Sequence, residues 1–330
     1  MAGYPQMRLR RLRKTGWMRR LVAETRLDVS DLIWTAIISD SGQDRVGIPS
    51  LPDVQRLSVS ALVEDAKKAA DLGIPALAIF PNISDQFKSE DAAEAANPDG
   101  IVPQAVRAIK KAVPNIGVIV DVALDPYTSH GHDGLMEGDV ILNDPTVEML
   151  ATVGVMLADA GADIVAPSDM MDGRIGAVRD ALDDAGHTDV SILSYAAKFA
   201  SGFYGPYRDA IGTSATLKGD KRTYQMNPAN IDIALREVEL DITEGADMVM
   251  VKPGLPYLDV IAAIKAEFAR PTFAFQVSGE YAMIKAAGAN GWLDFDRIYI
   301  ESLMSIKRAG CDGILTYGAI DVAERLNKSA

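Results

Sequence analysis

Eight short apolar runs, separated by stretches of helical apolar spacing, leave this chain few folds to choose from. They lie at 31–38 (DLIWTAII), 74–80 (IPALAIF), 117–124 (GVIVDVAL), 163–166, 190–195, 248–251 (MVMV), 272–277 and 313–317. Runs that are apolar throughout, rather than alternating, read as strands buried on both faces, which is the condition of a parallel sheet. Helices are expected over 58–72, 101–112, 145–160, 171–185, 227–244, 257–268, 294–309 and 320–326. Eight such units close an α/β barrel of the (β/α)8 TIM type, and 330 residues are ample for one. The rival is an open doubly wound sheet, but that fold usually offers a G-x-G-x-x-G turn after its first strand, and none occurs here. The tetrads AGAD (160–163), EGAD (244–247) and AGCD (309–312) precede three of the strands and echo one repeating unit.

Charge divides the chain in two. The formal net charge is −13, yet residues 1–26 hold eight Lys/Arg and a single acid, Glu24, so they carry +7 and the remainder −20. An acidic body is a poor nucleic-acid binder. A basic N-terminal arm (1–30) that docks on the acidic barrel (31–330) of a second copy accounts for both halves of the asymmetry. The arm lacks the apolar core of a secretory signal, and no run approaches the roughly 20 apolar residues of a membrane span. The one cysteine, Cys311, allows neither an internal disulfide nor a thiolate metal cluster, which fits a cytoplasmic protein.

In a barrel of this kind the chemistry gathers at the carboxyl ends of the strands. Those ends bring Asp40, Pro81, Asp121, Asp125, Ser168 and Asp169 together with Lys198, Lys252, Ser278, Glu280 and Tyr317. Singly, each has a plain explanation: Ser168 and Ser278 as helix caps, the aspartates as turn residues, Lys198 (in YAAKFA) on a helix face. Lys252 is harder to dismiss. It ends the run MVMV and is followed at once by Pro253 and Gly254, so it sits where a charge is costly. Two ammonium groups in one apolar pocket repel and are both desolvated, so at least one of Lys198 and Lys252 should lose its proton near neutral pH and serve as an amine nucleophile toward ketones. Asp125 and Asp133 are available for proton transfer. Residues 201–226 are too long for a plain connection and carry Arg208, Lys218, Lys221 and Arg222 among glycines and tyrosines, as a lid over an anionic substrate would. The loop SHGHDG supplies His130 and His132, which with Asp125 and Asp133 form a candidate zinc or magnesium site, although such loops are more often simply hydrogen-bonded.

Six stretches together resemble the porphobilinogen synthase family, also called 5-aminolevulinate dehydratase. They are DVALDPYTSHGHDG (121–134), APSDMMDGR (166–174), SYAAKFASGFYGPYR (194–208), MVKPGLPYLD (250–259), QVSGEY (276–281) and TYGA (316–319). The resemblance implies an α/β barrel with an embracing N-terminal arm, and the condensation of two 5-aminolevulinate molecules to porphobilinogen in tetrapyrrole synthesis, without an organic cofactor. It implies that Lys252 forms a Schiff base with the propionyl-side substrate and Lys198 binds the acetyl-side one beside Asp125 and Asp133. By the same resemblance Arg208 and Lys221, with Gln225 nearby, take the acetyl-side carboxylate, Ser278 and Tyr317 hold the propionyl-side one, and Ser168, Tyr195 and Tyr207 line the pocket. It further implies a homo-oligomer, an octamer of arm-embracing dimers or a hexamer. Zinc-using members of that family carry three cysteines where this chain has Ala123, Asp125 and Asp133, so no catalytic zinc is expected and harder ions such as Mg2+ or K+ are favoured. Glu237 matches a glutamate that some members use at a separate, activating, allosteric magnesium site. The alternatives are another lysine-dependent barrel aldolase, which needs one lysine only, and a non-enzymatic carboxylate-binding protein.

Overall fold

The computed structural model describes residues 3–213 and 217–329. Residues 1 and 2 of the expected arm, 214–216 of the expected lid and 330 of the expected barrel lie outside the described residues. Eight parallel strands form the barrel: β1 (Leu32–Ser39), β2 (Ala76–Asn82), β3 (Gly117–Val122), β4 (Ile164–Pro167), β5 (Ser191–Lys198), β6 (Met248–Lys252), β7 (Thr272–Phe275) and β8 (Gly313–Thr316). They pair in sequence order, and β1 closes on β8 with Ile33 opposite Leu315. All eight side chains of β1 are buried, as a strand packed on both faces requires. Helices cover the outside. Their N-termini are held by side chains such as Ser58, which accepts the Ala61 N–H, and Asp294, which accepts that of Arg297. Among the described residues no helix is long and apolar enough to cross a membrane.

The three echoing tetrads have a common structural job. Gly161, Gly245 and Gly310 each end a helix with φ of +102°, +112° and +116°, a conformation that favours glycine. The aspartate two residues later then clamps the neighbouring strand. Asp163 accepts the Val118 N–H of β3 at 2.8 Å, Asp247 the Ile192 N–H of β5 at 2.7 Å, and Asp312 the Thr272 N–H of β7 at 2.8 Å. These contacts sit at the amino-terminal end of the barrel and fix the register of alternate strands, leaving the other end free for chemistry.

The structure departs from the sequence-based expectation in four places. The fifth strand runs on to Lys198 instead of stopping at 195. A helix that the sequence pattern did not show spans Ser278–Ala289. Short antiparallel strand pairs that the sequence pattern did not show lie at Arg45–Gly47 with Gln55–Leu57, and at Leu135–Glu137 with Val140–Leu142. The lid segment is not without structure: it holds the helix Gly205–Ile211 and is bridged to Phe199 at Met226. The arm forms two short helices, Leu9–Arg13 and Gly16–Leu21, whose apolar residues Leu9, Trp17 and Leu21 are exposed.

Candidate active site

Lys198 and Lys252 face each other across β5 and β6, and an irregularity in the ladder puts them there. Val249 pairs with Ser194, but Val251 pairs with Ala197, so β5 spends one extra residue between them. Without that bulge Lys252 would lie opposite Ala197; with it Lys252 is in register with Lys198. Both ammonium groups then approach the ring of Tyr195, at 6.0 Å for Lys198 and 4.9 Å for Lys252.

The two lysines have different surroundings. Lys252 is enclosed by aromatic rings: besides Tyr195, its Nζ lies 5.5 Å from the Tyr204 ring, 5.1 Å from Tyr207 and 4.8 Å from Phe275. Burial and then the nearby Lys198 charge bring its amine down to about 7, against the upward pull of Asp121, Asp125 and Asp133. Lys198 donates instead to the Ser168 carbonyl and, at 3.2 Å, to Asp133. One member of the pair is therefore tied to a carboxylate, and the other, in its aromatic cage, is left as a near-neutral amine. This is the division that a nucleophilic lysine needs.

The carboxylates divide in the same way. Burial alone would raise Asp133, but the Lys198 and Lys221 ammonium groups and the Tyr224 hydroxyl hold it below the usual carboxylate range. Asp121, on β3, has one oxygen buried without a hydrogen-bond partner, and burial lifts its carboxyl to about 7 despite both lysines. The site thus holds one carboxyl that can carry a proton near neutral pH and one that stays ionised.

The lid supplies the remaining cations. Arg208, Lys221 and Gln225 line one cavity with Asp125, Ser168, Tyr204, Tyr207 and both lysines. Lys221 lies 2.9 Å from Asp125 and 2.7 Å from Asp133 and is buried with them. Arg208 has no carboxylate within ion-pair distance among the described residues, so its charge in the cavity is not matched by an ion pair there. Lys218 and Arg222 face solvent. Gly279 lets the lid sit close: a Cβ there would be 2.4 Å from the Phe203 carbonyl oxygen. Ser278 Oγ accepts the Tyr207 N–H at 2.8 Å, and Tyr317, whose buried hydroxyl has no partner, meets the cage through Phe275 at 5.9 Å between ring centroids.

Of the residues expected from the sequence, the structure brings together Lys252, Lys198, Asp125, Asp133, Arg208, Lys221, Gln225, Ser168, Tyr195 and Tyr207. Ser278 and Tyr317 sit one layer out. Glu237 is elsewhere, half-buried on the helix Ile231–Thr243 with Arg174, Asp241 and Asp172 around it. Sequence reasoning missed Tyr204, Phe275 and Tyr224. Aromatic residues at a strand end or in a glycine-rich segment were the available signal, but nothing in the sequence shows which of them turn inward.

A parallel barrel with a paired, partly neutral lysine at its catalytic end defines an α/β-barrel lyase. The chain belongs to the delta-aminolevulinic acid dehydratase family, whose model matches residues 6–325. It is 59% identical over 320 residues to the delta-aminolevulinic acid dehydratase of Bradyrhizobium diazoefficiens, covering 97% of this chain and 91% of that one. It is 52% identical to that of Rhodobacter capsulatus over 96% of this chain and 95% of the relative. The Toxoplasma gondii delta-aminolevulinic acid dehydratase (porphobilinogen synthase), solved with the reaction product porphobilinogen, superposes with a TM-score of 0.96 at 47% identity, covering 98% of this chain and 93% of that one.

Proposed function

We propose that the paired lysines carry the family's reaction, in which two molecules of 5-aminolevulinate condense to porphobilinogen with loss of two waters during tetrapyrrole synthesis. The observation that carries the mechanism is the aromatic cage that brings the Lys252 amine down to about 7 beside a second, ion-paired lysine. The neutral Lys252 amine adds to the ketone of the propionyl-side substrate and, on losing water, leaves an imine. Lys198 receives the acetyl-side ketone in the same way once its ammonium has given up a proton, for which Asp121, lifted to about 7 by burial, is a better acceptor than Asp133. In this reading Tyr317, whose buried hydroxyl has no partner, and Ser278 bind one substrate carboxylate, and Arg208 binds the other. Lys221 already bridges Asp125 and Asp133, so its role is to hold these two carboxylates in place as much as to meet substrate. An aldolase with one lysine would leave Lys198 and its pairing unexplained.

Borohydride added with 5-aminolevulinate is expected to fix the substrate to Lys252, read as a mass gain on the peptide holding that residue. The trapping rate should rise as pH passes about 7, because only the neutral amine adds to a ketone. A mass gain only on other lysines, or none, would overturn the mechanism.

The reading includes no catalytic zinc and no organic cofactor. Asp125 and Asp133 grip the Lys221 ammonium between them, and Ala123 offers no ligand atom, so this donor set does not fit zinc. If magnesium or potassium binds, Glu237, outside the cavity, is the residue this reading assigns to it. Among the described residues no group of three His, Cys, Asp or Glu ligands gathers for a metal, so an ion there would complete its shell with water or a second copy. Dialysis against a strong chelator is expected to leave at least about half of the turnover; a large loss reversed by zinc alone contradicts this. The same reading places the enzyme in the cytoplasm as a homo-oligomer, an octamer or hexamer. The exposed apolar residues of the basic arm support it, and sedimentation velocity measures it directly.

A further inference from the structure

Beside the lysine cavity lies a pair of side chains that does not line it. Tyr224, in the last part of the lid, places its hydroxyl 2.9 Å from Asp133 Oδ2, and the Asp133 N–H returns to it at 3.3 Å. His132 Nε2 donates to the Lys218 carbonyl at 2.6 Å, and its Nδ1 lies 3.0 Å from the same hydroxyl, to which it donates when the ring carries both protons, leaving the hydroxyl proton for Asp133. The Lys218 N–H is itself bound to the His130 carbonyl at 3.2 Å, and Thr128 Oγ1 holds the His132 carbonyl at 2.9 Å. One ring thus ties the lid, at Lys218 and Tyr224, to the loop that carries Asp133.

The electrostatics give this tie a task. Asp133 is shared by two ammonium groups, Lys221 on Oδ2 at 2.7 Å and Lys198 on Oδ1 at 3.2 Å. The Lys221 contact is the shorter, and Lys221 also holds Asp125. Left to the two cations, the carboxylate would turn toward Lys221 and give up the longer contact. The Tyr224 hydroxyl occupies the second direction on Oδ2 and so fixes the plane in which Oδ1 meets Lys198.

We propose that Tyr224 and His132 are positioning residues that hold the Asp133 carboxylate on Lys198, and that they do so only when the 217–226 part of the lid is seated. This rests on the assignment of Lys198 and Asp133 to the acetyl-side substrate. The pair sets up the second substrate's half of the site and leaves Lys252 untouched.

The test uses the full chain. Tyr224→Phe removes one oxygen and keeps the ring. Losing a hydrogen bond to a charged group predicts a fall in turnover of about 10- to 100-fold. Half-saturation should move upward, while borohydride trapping on Lys252 proceeds at the unaltered protein's rate. His132→Ala should show the same split, His132→Gln should restore part of the loss, and the double variant should fall no further than the worse single one, because the two act as a unit. Tyr224→Phe within twofold of the unaltered protein, losses that multiply in the double variant, or equal loss of Lys252 trapping would each overturn the proposal. If the unaltered protein makes no porphobilinogen, the functional reading fails instead, and that result appears before any variant is made.

Discussion

Lys252→Met is expected to abolish porphobilinogen formation and, in the same protein, to raise thermal stability at pH 7. The activity loss follows from removing the only near-neutral amine in the cavity; deleting a covalent nucleophile costs on the order of 10^4-fold or more. The gain in stability follows from the same environment. Methionine fills much of the lysine's volume and suits the Tyr195, Tyr204, Tyr207 and Phe275 rings without a charge to desolvate. Between about pH 7 and the ordinary lysine value near 10.4, the unfolded chain binds a proton that the folded lysine does not, so stability rises with pH across that window. Below pH 7 both states are protonated and the penalty is present in full. The shift corresponds to a few kcal/mol, part of which the cation–π contacts offset, leaving roughly 2–4 kcal/mol in favour of the variant. Thermal melts of both proteins at pH 6.5, 8 and 9.5 check this. The gap should be widest at the lowest pH and close as pH rises. A variant that melts below the unaltered protein at pH 6.5, or one that keeps more than a trace of turnover, contradicts the account of Lys252.

How much of this was visible beforehand depends on which side chains a pattern can orient. A strand buried on both faces writes itself as an unbroken apolar run, so all eight strands and their order could be read, and with them the position of Lys252 at a strand end. The tetrads showed as repetition, but their purpose needed three dimensions, because each aspartate bonds to a strand distant in sequence. Lys198 was placed near the site without its element: YAAKFA suits a helix as well as a strand, and the extra residue in β5 that brings it opposite Lys252 shows only in its pairing with β6. The helix Ser278–Ala289 hid behind Gly279 and Gly288 and a start with no Ser, Thr, Asp or Asn at its N-cap. There Val277 precedes it, and Glu280 reaches back to the Val277 N–H at 2.6 Å. In the lid, composition lists four cations without sorting them, and only the family resemblance singles out Arg208 and Lys221. Only folding shows that Arg208 and Lys221 turn in while Lys218 and Arg222 turn out.

Asp241→Ala is expected to be the most destabilising single change outside the cavity, at about 3–5 kcal/mol. Arg174 is fully buried, and its guanidinium meets Asp241 Oδ1 and Oδ2 at 3.2 and 3.0 Å in a two-pronged contact. Its other partners are weaker: Ser194 Oγ at 3.3 Å, the Met171 carbonyl at 3.2 Å, and Asp169 at 3.7 Å, too far for a hydrogen bond. Burial moreover lifts the Asp169 carboxyl to about 6, so it is a poor substitute anion. Without Asp241 a buried cation is left nearly unpaired, whereas the double variant Arg174→Met/Asp241→Leu removes both charges and should recover most of the loss. Chemical denaturation of the three proteins measures this, and a loss under about 1 kcal/mol for Asp241→Ala alone contradicts it. The consequence reaches the site. Asp169 accepts the Met171 N–H at 2.7 Å in the turn after β4, next to the Ser168 carbonyl that receives Lys198. An arginine pulling Asp169 toward itself would drag that carbonyl from the lysine. Turnover of Asp241→Ala should therefore drop further than its folded fraction does, and the double variant should regain stability and turnover together.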